Sequence, residues 1–127
     1  MAGALTLLLL ATDISPFDAR DATTRRAEPL AQVGAYAATL STSQTAGHAI
    51  ALERGREYHV AARCSGGCAV TLQLFSPAGR EVDRDLTRHA SPEVAVVPAA
   101  SGRYRADVTM TGCAIHLCTY TLAVFVR

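Results

Sequence analysis

Gly102-Arg103-Tyr104-Arg105-Ala106-Asp107-Val108-Thr109-Met110 decides the fold. Tyr104, Ala106, Val108 and Met110 occupy every second position, with Arg103, Arg105, Asp107 and Thr109 between them. In an extended chain successive side chains point to opposite faces, so this period separates an apolar face from a wetted one. The same period recurs on both sides of this stretch. Tyr58, Val60, Ala62 and Cys64 oppose His59, Ala61 and Arg63, and Val70, Leu72 and Leu74 oppose Thr71 and Gln73. Tyr120, Leu122, Val124 and Val126 oppose Thr119, Thr121 and Ala123.

Turn chemistry separates these runs. Glu53-Arg54-Gly55-Arg56 divides an Ile50/Leu52 strand from the Tyr58 strand. Ser76-Pro77-Ala78-Gly79 has proline second and glycine fourth, the pattern of a type I turn, and Ala100-Ser101-Gly102 leads into the Tyr104 strand. Helix is hard to place after Leu40. Short strands at regular spacing, seven to eight of them, predict an all-β fold, a sandwich or a barrel; an antiparallel β-sandwich over residues 35–127 is the expectation. Residues 82–92 are polar and read as a strand end followed by an exposed loop.

Upstream the pattern is different. The run Ala4-Leu5-Thr6-Leu7-Leu8-Leu9-Leu10-Ala11 is too short to span a bilayer and suits the apolar part of a signal peptide, placed at residues 1–19. Residues 20–34 are polar and aperiodic and read as a linker. The mature chain is expected to lack a membrane span and to work in the periplasm or outside the cell. With 127 residues and no tryptophan, a single modest core gains from covalent staples. A net charge of +1, with both signs interspersed, gives no footprint for nucleic acid.

Four cysteines lie in two close pairs, Cys64 with Cys68 and Cys113 with Cys118. Two local disulfides are the favoured reading; cross-pairing is the rival, because four cysteines allow three connectivities. Zinc is disfavoured, since structural sites usually use Cys-x2-Cys knuckles. His48, His59, His89 and His116 are scattered, and no nucleophile elbow or Cys–His pair is visible. No catalytic residue, metal or cofactor is therefore assigned. Arg80, Asp83, Arg84, Asp85, Arg88 and His89, with Glu81, form the densest charge cluster and are the candidate binding loop. Tyr104 and Tyr120 read as packing anchors whose hydroxyls need partners.

The stretch from Gly55 to Val126 resembles the bacterial pre-peptidase C-terminal domain, a jelly-roll-like sandwich attached to many secreted proteases. The matching residues are Gly55, Tyr58-His59-Val60, Leu72-Gln73-Leu74-Phe75, Ser76-Pro77-Ala78-Gly79, Pro98 through Gly102-Arg103-Tyr104, and Tyr120-Thr121-Leu122-Ala123-Val124. The paired cysteines resemble those of short stand-alone periplasmic members. Some relatives bind calcium, but Ala69-Val70-Thr71 stands where the family often carries paired aspartates, so calcium is not expected. The resulting expectation is a non-catalytic exported module that binds a protein or glycan in the cell envelope. An accessory domain aiding another protein's secretion or stability is the alternative, and a small hydrolase ranks last.

Overall fold

The computed structural model describes residues 29–127, and every regular element among them is a strand. They are β1 (Ala31–Leu40), β2 (Thr45–Leu52), β3 (Tyr58–Cys64), β4 (Cys68–Phe75), β5 (Glu81–His89), β6 (Glu93–Val96), β7 (Gly102–Cys113) and β8 (Cys118–Val126). The expected signal peptide and residues 20–28 of the expected linker lie outside the described residues. β1 begins at Ala31, ahead of the domain boundary expected at 35. No helix among the described residues is long and apolar enough to cross a membrane.

The alternating faces dictate the packing. Two antiparallel sheets form, ordered β1-β8-β3-β6 and β2-β7-β4-β5. In this order β1 lies beside β8, β2 beside β7, β3 beside β6 and β4 beside β5. The chain is thus one long hairpin with the β4–β5 turn at its tip, rolled until β8 meets β3 and β7 meets β4. That connectivity is a jelly roll, within the sandwich that the strand pattern predicts. The central strands β3, β4, β7 and β8 bury the residues their alternation named, including Val60, Leu72, Leu74, Val108, Met110, Leu122 and Val124.

Three buried tyrosines keep their hydroxyls paired, as a phenol in an apolar interior must. Tyr104 donates to the Ala100 carbonyl at 2.9 Å, and Tyr58 accepts from the Glu53 N–H at 2.9 Å. Tyr120 bonds His48 Nε2 at 2.5 Å. Burial pushes the Tyr120 hydroxyl up to about 12 and lowers the His48 pKa, the latter partly offset by the charge of Asp107. His48 also lies 5.3 Å from the Tyr36 ring, so these three side chains close the side of the sandwich between β1 and β2.

The opposite side corrects the sequence reading. Residues 82–92 are not mainly loop: β5 runs to His89. The apolar alternation is missing because β5 is an edge strand whose inner positions are carboxylates. Asp85 Oδ2 accepts the Glu93 N–H at 3.1 Å, and Asp83 Oδ2 accepts the Ala95 N–H at 2.9 Å. These side chains stand in for a missing strand along the free edge of β6 and clasp the two sheets together.

Candidate functional site

The strand directions put residues 41–44, 65–67, 90–92 and 114–117 at one end of the sandwich and residues 53–57, 76–80 and 97–101 at the other. Disulfides Cys64–Cys68 and Cys113–Cys118 both lie at the first end, with Cα separations of 6.1 and 6.0 Å. Each joins the end of a strand in one sheet to the start of a strand in the other. The local pairing favoured from the sequence is therefore the one formed, and both bonds close arches over the core.

The two arches brace each other. Cys68 and Cys113 face one another across β4 and β7, and the Ala114 N–H donates to the Gly67 carbonyl at 3.1 Å. Gly67 has φ 78°, and a Cβ there would lie 3.2 Å from the Ala114 Cβ. Glycine is needed both for that backbone conformation and for the close approach. The neighbouring turn, residues 41–44, is pinned by the Ser43 N–H to the Met110 carbonyl at 2.6 Å.

On this braced end stand two apolar side chains with little cover. Ile115 is 67% exposed and Leu117 47%, with exposed His116 between them. Loops are ordinarily polar, and isolated exposed aliphatics are unremarkable. Here the two share a five-residue bridge span, held by a disulfide and by the adjoining arch. A partner would meet them without first having to order the loop. The sequence reading passed over these residues; their signal was an apolar pair inside a cysteine loop.

The candidate loop chosen from the sequence is brought together along β5, but it is largely occupied. Besides the Glu93 N–H, Asp85 accepts the Thr87 hydroxyl at 2.6 Å and lies 3.2 Å from His89 Nε2. The Thr87 hydroxyl, followed by His89 and two backbone N–H groups, holds the Asp85 carboxyl well below its usual range, against the opposing effect of burial. Arg84 lies 3.6 Å from Glu81, while Arg80 and Arg88 are exposed. The acids work as a structural clasp, which leaves the arginines as the outward-facing part of the cluster. Among the described residues no group of three or more His, Cys, Asp or Glu converges as a metal site.

Two open clefts lie at the far end. One, of about 580 Å³, is lined by Val33, Leu52, Arg56, Tyr58 and Arg103 among others. The other, about 520 Å³, is an apolar groove between Pro77, Val82, Val97 and Pro98 with Tyr104 at its wall. The Tyr104 hydroxyl donates to the Ala100 carbonyl rather than into that groove.

No protein-family model and no curated sequence matches the chain. Solved structures match it in fold. The Aeromonas hydrophila PliG, a periplasmic lysozyme inhibitor of g-type lysozyme, aligns with TM-score 0.54 at 15% identity, over 74% of this chain and 85% of its own. Salmonella Typhimurium PliG aligns with TM-score 0.46 at 17% identity, over 73% and 89%. A structure described as CBM4 gives 0.41 at 15% identity, over 76% and 84%. Through the first of these, the chain shares its β-sandwich fold with a periplasmic inhibitor protein.

Proposed function

We propose that this chain is a non-catalytic protein-binding module of the cell envelope, docking through its disulfide-braced end. The observation that carries the reading is the exposed pair Ile115 and Leu117 on a loop closed by Cys113–Cys118. Buried aliphatic anchors on a pre-ordered loop supply affinity at low entropic cost. Aliphatic tips suit an apolar pocket on a protein better than the face of a sugar, which stacks on aromatic rings, and the chain has no tryptophan. The Aeromonas protein of like fold is an inhibitor of a lysozyme, and this supports a protein partner by fold analogy. Export is supported by the apolar run at residues 4–11 together with two disulfides. Kinship to the pre-peptidase C-terminal domain is part of the proposal. It is supported by the Ser76–Gly79 turn, closed by the Gly79 N–H to the Ser76 carbonyl at 2.8 Å.

The test is site-specific photo-crosslinking in the exporting host. A crosslinker at Leu117 should yield one discrete adduct, and the same group at Thr121, on the outer face of β8, none. Ile115→Asp should abolish the Leu117 adduct, and a g-type lysozyme is the first purified partner to try. Completing the burial of both side chains is worth about 3 kcal/mol, near a hundredfold in affinity, which the pair Ile115→Asp and Leu117→Asp should remove. Equal adducts from both positions, or none from Leu117, would refute the docking end.

A further inference from the structure

The two long sides of the sandwich are built on opposite principles. On one side the edge strands β5 and β6 carry Glu81, Asp83, Arg84, Asp85, Arg88 and Glu93. The register of β5 against β4 shifts twice, and Leu86, Thr87 and Arg88 bulge opposite Thr71 alone. The outer N–H groups of Glu93 and Ala95 are consumed by Asp85 and Asp83. Charges, bulges and side-chain covers are the devices that keep a strand edge from pairing with another chain.

Among the described residues the other side has almost none of them. β1 and β2 are its edge strands, ten and eight residues long, and neither contains Asp, Glu, Lys, Arg or Pro. His48 is the one ionisable cation-former there, and it faces inward onto Tyr120 and Tyr36. β1 has a single register shift between Gln32 and Gly34, and β2 pairs with β7 with no shift at all. A long, regular, neutral edge is the template that strand addition requires.

We propose that this side receives a second copy of the chain, with β2 pairing antiparallel to its own counterpart about a two-fold axis. Such pairing sets each residue of β2 against residues of the same strand, so a charge near the axis would face its own copy across it; β2 carries no Asp, Glu, Lys or Arg. Its outward positions Thr45, Gly47, Ala49 and Ala51 are small and exposed, so nothing obstructs the sheet as it continues into the copy. An eight-residue edge across two stacked sheets covers about 500 Å² per copy, about 1,000 Å² in all, the lower bound for a specific interface. The pairing is therefore a reversible, concentration-dependent dimer.

The test is the solution mass of the full exported chain over roughly 1 to 200 µM, by sedimentation and light scattering. The mass should double across this range, and amide protection in β2 should rise with it. Ala49→Lys and, separately, Ala51→Lys place a cation on each copy at the junction, on exposed positions. Each should stay monomeric and melt at the temperature of the parent at its most dilute, whereas Thr121→Lys on β8 should dimerise as the parent does. Ile115→Asp with Leu117→Asp should also dimerise, which separates this surface from the docking end. A parent chain monomeric at every concentration overturns the proposal, even if an extended peptide from another source protects β2. Dimerisation that survives both lysine variants overturns it as well.

Discussion

Replacing Asp85 with alanine separates a structural clasp from a binding residue. The side chain is half-buried and accepts from the Glu93 N–H at 3.1 Å, the Thr87 N–H at 3.2 Å and the Thr87 hydroxyl at 2.6 Å. Hydrogen bonds to a charged group contribute about 1.5–3 kcal/mol, but solvent reaches this carboxylate and screens it, so about 1–2 kcal/mol is the expected net loss. For a domain of this size that lowers the melting temperature by about 5–10 °C. The sign with pH follows from the depressed pKa. The contribution is complete above the ordinary carboxylate value near 3.9 and is lost as the pH falls from there toward the folded-state value. Urea and thermal melts of parent and variant at pH 7 should therefore differ most, and the gap should narrow between pH 4 and pH 2. A loss below about 0.5 kcal/mol, or a gap that holds constant to pH 2, would refute the clasp. A stable variant that instead failed to bind its partner would restore the cluster as a recognition surface.

Three more outcomes follow from the same geometry. Replacing Cys113 and Cys118 with serine opens a short loop, so urea melts should show a loss of about 2 kcal/mol by loop closure, and docking should weaken because the tip is no longer pre-ordered. His48 has its pKa lowered, chiefly by burial, so its share of stability is complete above its ordinary value near 6.5 and falls as the pH drops below it; the His48 ring resonances followed by NMR should titrate below that value. Leu72→Ala, in the fully buried middle of β4, should cost about 2–5 kcal/mol in equilibrium unfolding.

What the sequence made legible follows burial on two sides. β3, β4, β7 and β8 are central strands with one face wholly in the core, so Tyr104, Ala106, Val108 and Met110 had to be apolar at every second position. Their faces were read correctly for that reason. β5 reads from sequence as only a strand end running into a loop because its inner positions reach backbone N–H groups rather than the core, which makes aspartate the right residue where a central strand would need valine. β1 lies at an edge, and its start at Ala31-Gln32-Val33 is exposed, so no alternation marked it. The disulfide partners were open to rival pairings until the arches brought each pair's Cα atoms to about 6 Å. Ile115 and Leu117 are too few to mark a strand; their one signal was an apolar pair inside a cysteine loop, and only their exposure gives it weight.

The bare side and the docking end are linked by strand direction. β2 runs from the disulfide end, at Thr45, to the far end, at Leu52. An axis perpendicular to the sheets that pairs β2 with its counterpart antiparallel must therefore turn the second copy end for end. The two Ile115–Leu117 tips then point away from each other. Under the dimer proposed above, one assembly engages two partner molecules at its opposite poles and cannot set both tips on the same surface. Linking two sites raises avidity only where both targets can be spanned at once. A partner free in solution should therefore bind in a 2:2 ratio with the affinity of a single tip. Ala49→Lys should convert this to 1:1 without changing the affinity per tip. A change in per-tip affinity on that substitution would mean that the second copy contributes to the docking end, and the two surfaces could no longer be treated as independent.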